Sequence, residues 1–169
     1  MTRTRAAARE SPGKDQGAAM DLILWRHADA EDGSPDAERK LTAKGRRQAA
    51  RMANWLQERL PEGARVISSP ARRAQQTARA LGEDFEVVNA LDAGGDPKAL
   101  LAACGWPSGD TPVVLVGHQP TLGQAAALAL AGRVEDWSVR KGAIIWLEAR
   151  NRGGALQAKL RAAISPDLI

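Results

Sequence analysis

The sequence predicts an α/β protein: a three-layer α/β/α sandwich whose mainly parallel sheet gains an antiparallel addition at its C-terminal end. Three observations predict it. Short apolar or β-branched runs alternate with longer segments whose apolar residues recur every three or four positions. One run, Pro112-Val-Val-Leu-Val116, is apolar without a break, as suits a central strand covered on both faces. Near the C-terminus two further runs flank Asn151-Arg-Gly-Gly154, a hairpin-type turn that joins antiparallel strands.

Each element has its own signal. Asp21-Leu-Ile-Leu-Trp25 is too short for a helix and apolar enough for a buried strand. Thr42 then offers an N-cap to a helix whose apolar positions are Ala49, Met52, Ala53, Leu56 and Leu60, stopped before Pro61. Val66-Ile67 makes a second strand, and a helix from Ala71 to Leu81 comes next, with Gly82 as its stop. Phe85–Val88 is a third strand and Pro97–Ala103 a short helix. After the central strand, Pro120 opens a helix from Leu122 to Ala131 ended by Gly132. Ala143–Leu147 and Leu156–Leu160 form the closing strands.

The chain of 169 residues suffices for one domain with its own core. Hydrophobic content of 44% and charged content of 26% exclude disorder of the whole chain. The net charge of +4 divides evenly. Residues 1–20 hold half of it, on Arg3, Arg5, Arg9 and Lys14 against Glu10 and Asp15. Residues 1–19 lack any apolar period and read as a disordered basic tail, with Met20 a candidate true start and 20–169 the single domain. The tail has too few charges for a nucleic-acid arm. Aromatics at 4% are too scarce for a base-stacking RNA module. A single cysteine, Cys104, excludes a disulfide framework and a cysteine-built zinc site, and reads as an inert apolar residue. No apolar run approaches the roughly 20 residues of a membrane span, and no secretory signal is evident. The expectation is a cytoplasmic monomer with no membrane or nucleic-acid partner.

Ligands of open α/β sheets sit beyond the C-terminal ends of the strands. The residues just past each strand are therefore informative. Trp25 is succeeded by Arg26-His27, Ile67 by Ser68-Ser69-Pro70-Ala71-Arg72-Arg73, and Val116 by Gly117-His118. The chain's two histidines thus both fall one or two residues past an apolar strand, with arginines beside them. Such a set makes a small cationic pocket in which guanidinium forks match phosphate oxygens. A neutral imidazole can attack phosphorus, and a second can hydrogen-bond the group in transfer. There is no P-loop glycine cluster to cradle a nucleotide, and two histidines without a carboxylate cluster make a poor metal site.

These residues also carry a resemblance. Leu24-Trp25-Arg26-His27-Ala28 resembles the Arg-His-Gly signature of the histidine phosphatase (phosphoglycerate mutase-like) superfamily, with Ala28 where Gly is usual. Ser69-Pro70-Ala71-Arg72-Arg73-Ala74-Gln75-Gln76-Thr77 resembles its second motif, and Val116-Gly117-His118 its third. Arg39-Lys40-Leu41-Thr42-Ala43-Lys44-Gly45 resembles the Arg-x-Leu-Thr-x-x-Gly segment of the SixA-type phosphohistidine phosphatases. All four stand in order from about residue 21 to 165.

The resemblance implies a metal-independent phosphatase without cofactor. His27 would be the nucleophile that becomes phosphorylated, Arg26 and Arg73 would bind phosphoryl oxygens, and His118 would hydrogen-bond the same group. The spacing of the second motif selects Arg73 over Arg72, which is left to solvent or a helix salt bridge. The implied substrate is a phosphohistidine-bearing protein, such as a member of a phosphorelay. Two other functions stay open: a phosphatase of small phosphoesters, and an idle phosphate-binding domain. Ester cleavage needs a positioned acid; the resemblance implies that it would come from the segment between the second and third motifs, where Asp92 is the best candidate among Glu86, Asp92, Asp96 and Asp110. Asp29, Glu31 and Asp32 read mainly as a solvated loop face, and the five tryptophans as packing, with Trp106 and Trp137 also placed to rim a pocket. The segments between motifs are short and predict an open site.

Overall fold

The computed structural model describes residues 19–169. All but the last residue of the segment read as a tail therefore lies outside the described residues. The elements run β1 (Met20–Arg26), α1 (Ala43–Gln57), β2 (Arg65–Ser68), α2 (Arg72–Arg79), β3 (Glu86–Val87), α3 (Pro97–Ala103), β4 (Val113–Gly117), α4 (Thr121–Ala131), β5 (Ile144–Arg152) and β6 (Ala155–Ile164). One six-stranded sheet has the order β3-β2-β4-β1-β5-β6. The first four strands of that order pair in parallel, and β5 and β6 add on antiparallel. The three-layer architecture is the one the sequence predicts.

The layers arise from alternation along the strands. On one face Leu22 and Leu24 of β1, Val113 and Leu115 of β4, and Ile145 and Leu147 of β5 pack with Leu100 and Leu101 of α3 and Leu122, Ala125 and Ala126 of α4. On the other face Ile23, Trp25, Val114, Val116, Ile144 and Trp146 pack with Met52, Ala53 and Leu56 of α1 and Ala74 and Ala78 of α2. Both faces of β1 and β4 are thus buried, which is why their sequences are apolar throughout.

Caps and turns account for most boundaries. Thr42 Oγ1 accepts from Gly45 N at 2.9 Å and opens α1. Gly132, at φ 72°, closes α4 in the left-handed region. Gly153 and Gly154 both take positive φ, 58° and 84°, in the β5–β6 turn. Other boundaries depart from the expectation. The second helix stops at Arg79 rather than Leu81, through a turn in which Ala80 N donates to Thr77 O, and Gly82 takes no left-handed φ. The third strand shrinks to two exposed residues at the sheet edge. The closing strands are longer than expected, because hairpin pairing continues from Ile144↔Ile164 out to Arg152↔Ala155.

The tryptophans pack. Trp25 is fully buried and donates to Gly142 O, and Trp146 donates to Asp21 Oδ1. Trp55 meets Trp146 edge-on at 6.2 Å. Trp106 and Trp137 lie against the core on the α3/α4 side. Cys104 is buried there too, and burial pushes its thiol up to about 12, which makes it a poor nucleophile.

Candidate active site

The site forms where β1, β2 and β4 end side by side. Main-chain pairing continues past the strands: His27 N donates to Gly117 O at 3.0 Å and Ser69 N to Val116 O at 3.0 Å. The residues after each strand are therefore held at fixed positions relative to one another. Thr77 of α2 ties in the loop after His27, since its Oγ1 accepts from Ala28 N at 3.1 Å. Ala28 takes no positive φ and is fully buried, so the alanine serves where the superfamily signature has glycine.

His27 is 7% exposed and His118 4% exposed, with ring centroids 5.1 Å apart. The Nδ1 of His27 lies 2.8 Å from Ala28 O. A carbonyl can only accept, so Nδ1 carries the proton and Nε2 keeps its lone pair. That Nε2 accepts from Arg73 Nε at 3.3 Å. Burial, the largest cause, drives the His27 pKa down to about 3, and the Ala28 carbonyl opposes this while the nearby cations add to it. Burial likewise takes His118 to about 4. Both rings are neutral at physiological pH.

Arg73, in the first turn of α2, is buried to 4% exposure. Its Nη2 is 3.4 Å from His118 Nδ1 and donates to Asp36 Oδ2 at 3.0 Å, and its Nη1 donates to Asp36 O at 2.8 Å. Ser69 Oγ lies 2.7 Å from His118 Nε2. A hydroxyl both donates and accepts, so Ser69 suits either tautomer of His118.

The structure thus brings His27, His118 and Arg73 into mutual contact. Arg26 makes no hydrogen bond to them, although its charge acts on both imidazoles. Its Nη1 donates to Val139 O at 2.7 Å, and its buried Nε has no hydrogen-bond partner among the described residues. Arg72 is exposed. Asp29 is a structural link, accepting from Thr42 Oγ1 and from Lys141 Nζ, each at 2.8 Å. Glu31 and Asp32 are exposed.

Of the four acids between the second and third motifs, Glu86 pairs with Arg65, Asp96 caps α3 and Asp110 bonds to Thr111. Asp92 alone among them is near enough for its charge to act on His118. Among the described residues no group of three or more His, Cys, Asp or Glu is placed to hold a metal ion, and no helix is long and apolar enough to cross a membrane.

Sequence reasoning missed Asp36. It sits in a 3-10 turn, Asp36–Glu38, in the exposed loop between β1 and α1. Short connecting segments predict an open site, yet this loop reaches Arg73. Its one local signal is the neighbouring Arg39, whose Nη1 donates to Asp36 Oδ1 at 2.9 Å.

An α/β sheet that ends in two neutral imidazoles and a buried guanidinium defines a phosphoryl-transfer protein of the histidine phosphatase kind, and comparison with known proteins agrees. A profile of the histidine phosphatase superfamily (branch 1) matches residues 22–94. The phosphohistidine phosphatase SixA of Escherichia coli is 34% identical over 118 residues, which cover 64% of this chain and 73% of that protein. An uncharacterised protein of Picosynechococcus is 35% identical over 141 residues, covering 77% of this chain and 86% of that one. Among solved structures, SixA complexed with tungstate superposes with a TM-score of 0.73 at 27% identity, over 88% of this chain and 98% of that one. A SixA from Nakamurella multipartitia, itself described as a putative phosphohistidine phosphatase, also gives 0.73 at 27% identity, over 90% and 99%. The chain belongs to the histidine phosphatase superfamily, as a SixA-like hydrolase.

Proposed function

We propose that the protein is a phosphohistidine phosphatase that acts on a phosphorylated partner protein through a covalent intermediate on His27. The observation that carries the reading is the hydrogen bond from His27 Nδ1 to Ala28 O, which leaves a lone pair on Nε2 beside Arg73 and His118. In the first step Nε2 attacks phosphorus in line. The P–N bond of the substrate breaks, its electron pair returns to the leaving imidazole, and that ring is released with a proton from solvent. Water then attacks phospho-His27, and phosphate leaves with the regenerated imidazole.

Each neighbour has a part in this. Arg73 and the otherwise unpartnered Nε of Arg26 bind the equatorial oxygens, whose charge a fixed guanidinium stabilises in the transition state. His118 hydrogen-bonds the same group through Nδ1 once a phosphoryl oxygen replaces Arg73 Nη2 there and the ring changes tautomer, Ser69 then turning to donate to its Nε2. The two guanidinium groups supply positive charge that a metal ion would otherwise bring, so activity needs no metal or other cofactor. All the groups come from one chain, and the monomer, in the cytoplasm, is the working unit. Support for a phosphohistidine substrate comes from the 34% identical relative, named as a phosphohistidine phosphatase. The chemistry agrees, because a protonated phosphoimidazole leaves without a strong general acid.

Rapid quench of the protein with 32P-labelled phosphohistidine protein tests the reading. Acid-labile label on wild type, absent from His27→Ala and unaffected by EDTA, is the expected result. A wild-type protein that never acquires label, or one that EDTA silences, overturns the mechanism or its metal independence.

A further inference from the structure

The guanidinium of Arg73 has two forked edges, and different groups occupy them. Nε and Nη2 face the imidazoles, His27 Nε2 at 3.3 Å and His118 Nδ1 at 3.4 Å. Nη1 and the other Nη2 proton face Asp36, through its carbonyl at 2.8 Å and its carboxylate at 3.0 Å. A phosphoryl group attacked by His27 and held by His118 must lie along the first edge. The second edge is then free to be gripped from behind. We propose that Asp36 is the positioning residue of the site: it clamps the outer edge of Arg73 so that the inner edge meets the phosphoryl group.

The surroundings support a clamp rather than a chance surface pair. Asp36 is divided between two arginines, Oδ1 on Arg39 and Oδ2 on Arg73. Arg39 is in turn anchored, its Nε donating to Glu31 O at 2.7 Å. The main chain of the loop is closed by Arg39 N to Asp36 O and by Glu31 N to Lys40 O. Arg73 is buried and has no other carboxylate partner among the described residues, whereas the Asp36 side chain is 61% exposed. A long side chain with several rotatable bonds is thereby confined to one orientation before substrate arrives, which is where orientation gains rate.

The inference rests on the reading that Arg73 binds the phosphoryl group, and the test separates the two. Inorganic phosphate binding is measured by calorimetry for wild type, Asp36→Asn, Asp36→Ala and Arg73→Ala, with kcat on a phosphohistidine protein alongside. Charge alone predicts that removing Asp36 makes the pocket more positive and tightens phosphate. Positioning predicts the opposite sign: Asp36→Ala weakens phosphate about tenfold and lowers kcat at least as much. Asp36→Asn keeps an oxygen for Nη2 and recovers part of both. If Arg73→Ala abolishes binding while Asp36→Ala binds phosphate as well as wild type or better, the positioning role falls and the site assignment stands. If Arg73→Ala binds normally, both fall. A loss of melting temperature in Asp36→Ala with unchanged phosphate affinity shows a purely structural loop contact and also overturns the proposal.

Discussion

Arg73 Nε donates to His27 Nε2 across 3.3 Å, although 46 positions separate the two residues along the chain. The contact joins the start of α2 to the end of β1, two elements far apart in sequence. It places a permanent positive charge against a ring that burial keeps neutral. A cation there repels a proton from Nε2 and favours an anion beside it. In the mechanism proposed above, one guanidinium would keep the His27 nucleophile unprotonated and draw in the phosphoryl group.

Arg73→Ala is therefore expected to lose about 2–4 kcal/mol of transition-state stabilisation, some thirty- to thousandfold in kcat/KM. Arg73→Lys recovers only part, because an ammonium cannot fork between imidazole, carboxylate and phosphoryl oxygens. Arg72→Ala, one residue away but exposed, is the matched control and stays near wild type. Full activity in Arg73→Lys counts against a forked contact.

The two buried imidazoles give stability a defined pH dependence. Folded His27 and His118 protonate only near 3 and 4, against about 6.5 in the unfolded chain. As pH falls below 6.5 the unfolded state takes up protons that the folded state refuses, so stability declines on acidification. By pH 5 each ring accounts for roughly 2 kcal/mol. Urea denaturation at pH 7.5 and pH 5 checks this on wild type and on the His27→Asn, His118→Asn double variant. The double variant should lose clearly less between the two pH values. Equal losses in both proteins would show that the imidazoles are not held neutral.

A third expectation concerns Gly45, the last residue of the Arg-x-Leu-Thr-x-x-Gly segment. A Cβ at Gly45 would stand 1.9 Å from Asp29 O, so the first turn of α1 and the chain after His27 can approach only because the side chain is absent. Gly45→Ala should cost about 1–3 kcal/mol of stability or more, and reduce kcat as the His27–Asp29 loop shifts. Gly82→Ala is the control, since nothing among the described residues lies within 4 Å of its Cβ position. Unchanged melting temperature and kcat in Gly45→Ala would show that the loop yields without cost.

These residues also mark how far the sequence could be read. β1 and β4 were legible because both faces are buried, which leaves unbroken apolar runs, and His27 and His118 stand out by falling just past those runs. Arg73 is singled out by motif spacing. The contacts of Asp36 with Arg73 and of Ser69 with His118 span 37 and 49 positions, and no local pattern encodes them. They depend on how a loop folds over the sheet end. Gly45 appears in the pattern, but the close approach that requires glycine exists only in three dimensions. β3 is shorter than the run Phe85–Val88 predicts because, at the sheet edge, it pairs with β2 over only two residues.

The class of substrate turns on Asp92. An ester leaves as an alkoxide and needs a positioned acid to protonate its oxygen, whereas a phosphorylated imidazole accepts a proton on its own ring. Asp92 comes directly after the 3-10 turn Asn89–Leu91, is exposed, and its Oδ1 accepts from Ala93 N at 2.8 Å. Its charge raises the His118 pKa, but burial and Arg73 outweigh it. Its hydrogen bond is thus to its own loop, and none joins it to His27, His118 or Arg73 among the described residues. Esters should accordingly be poor substrates. The expected order is kcat/KM for a phosphohistidine protein far above that for sugar phosphates or phosphoglycerates, with Asp92→Asn changing the phosphohistidine reaction less than about threefold. Side-by-side steady-state kinetics on the two substrate classes, with wild type and Asp92→Asn, decide the matter. If a small phosphoester is the better substrate and Asp92→Asn abolishes its turnover, Asp92 is a general acid and the enzyme is a metabolite phosphatase.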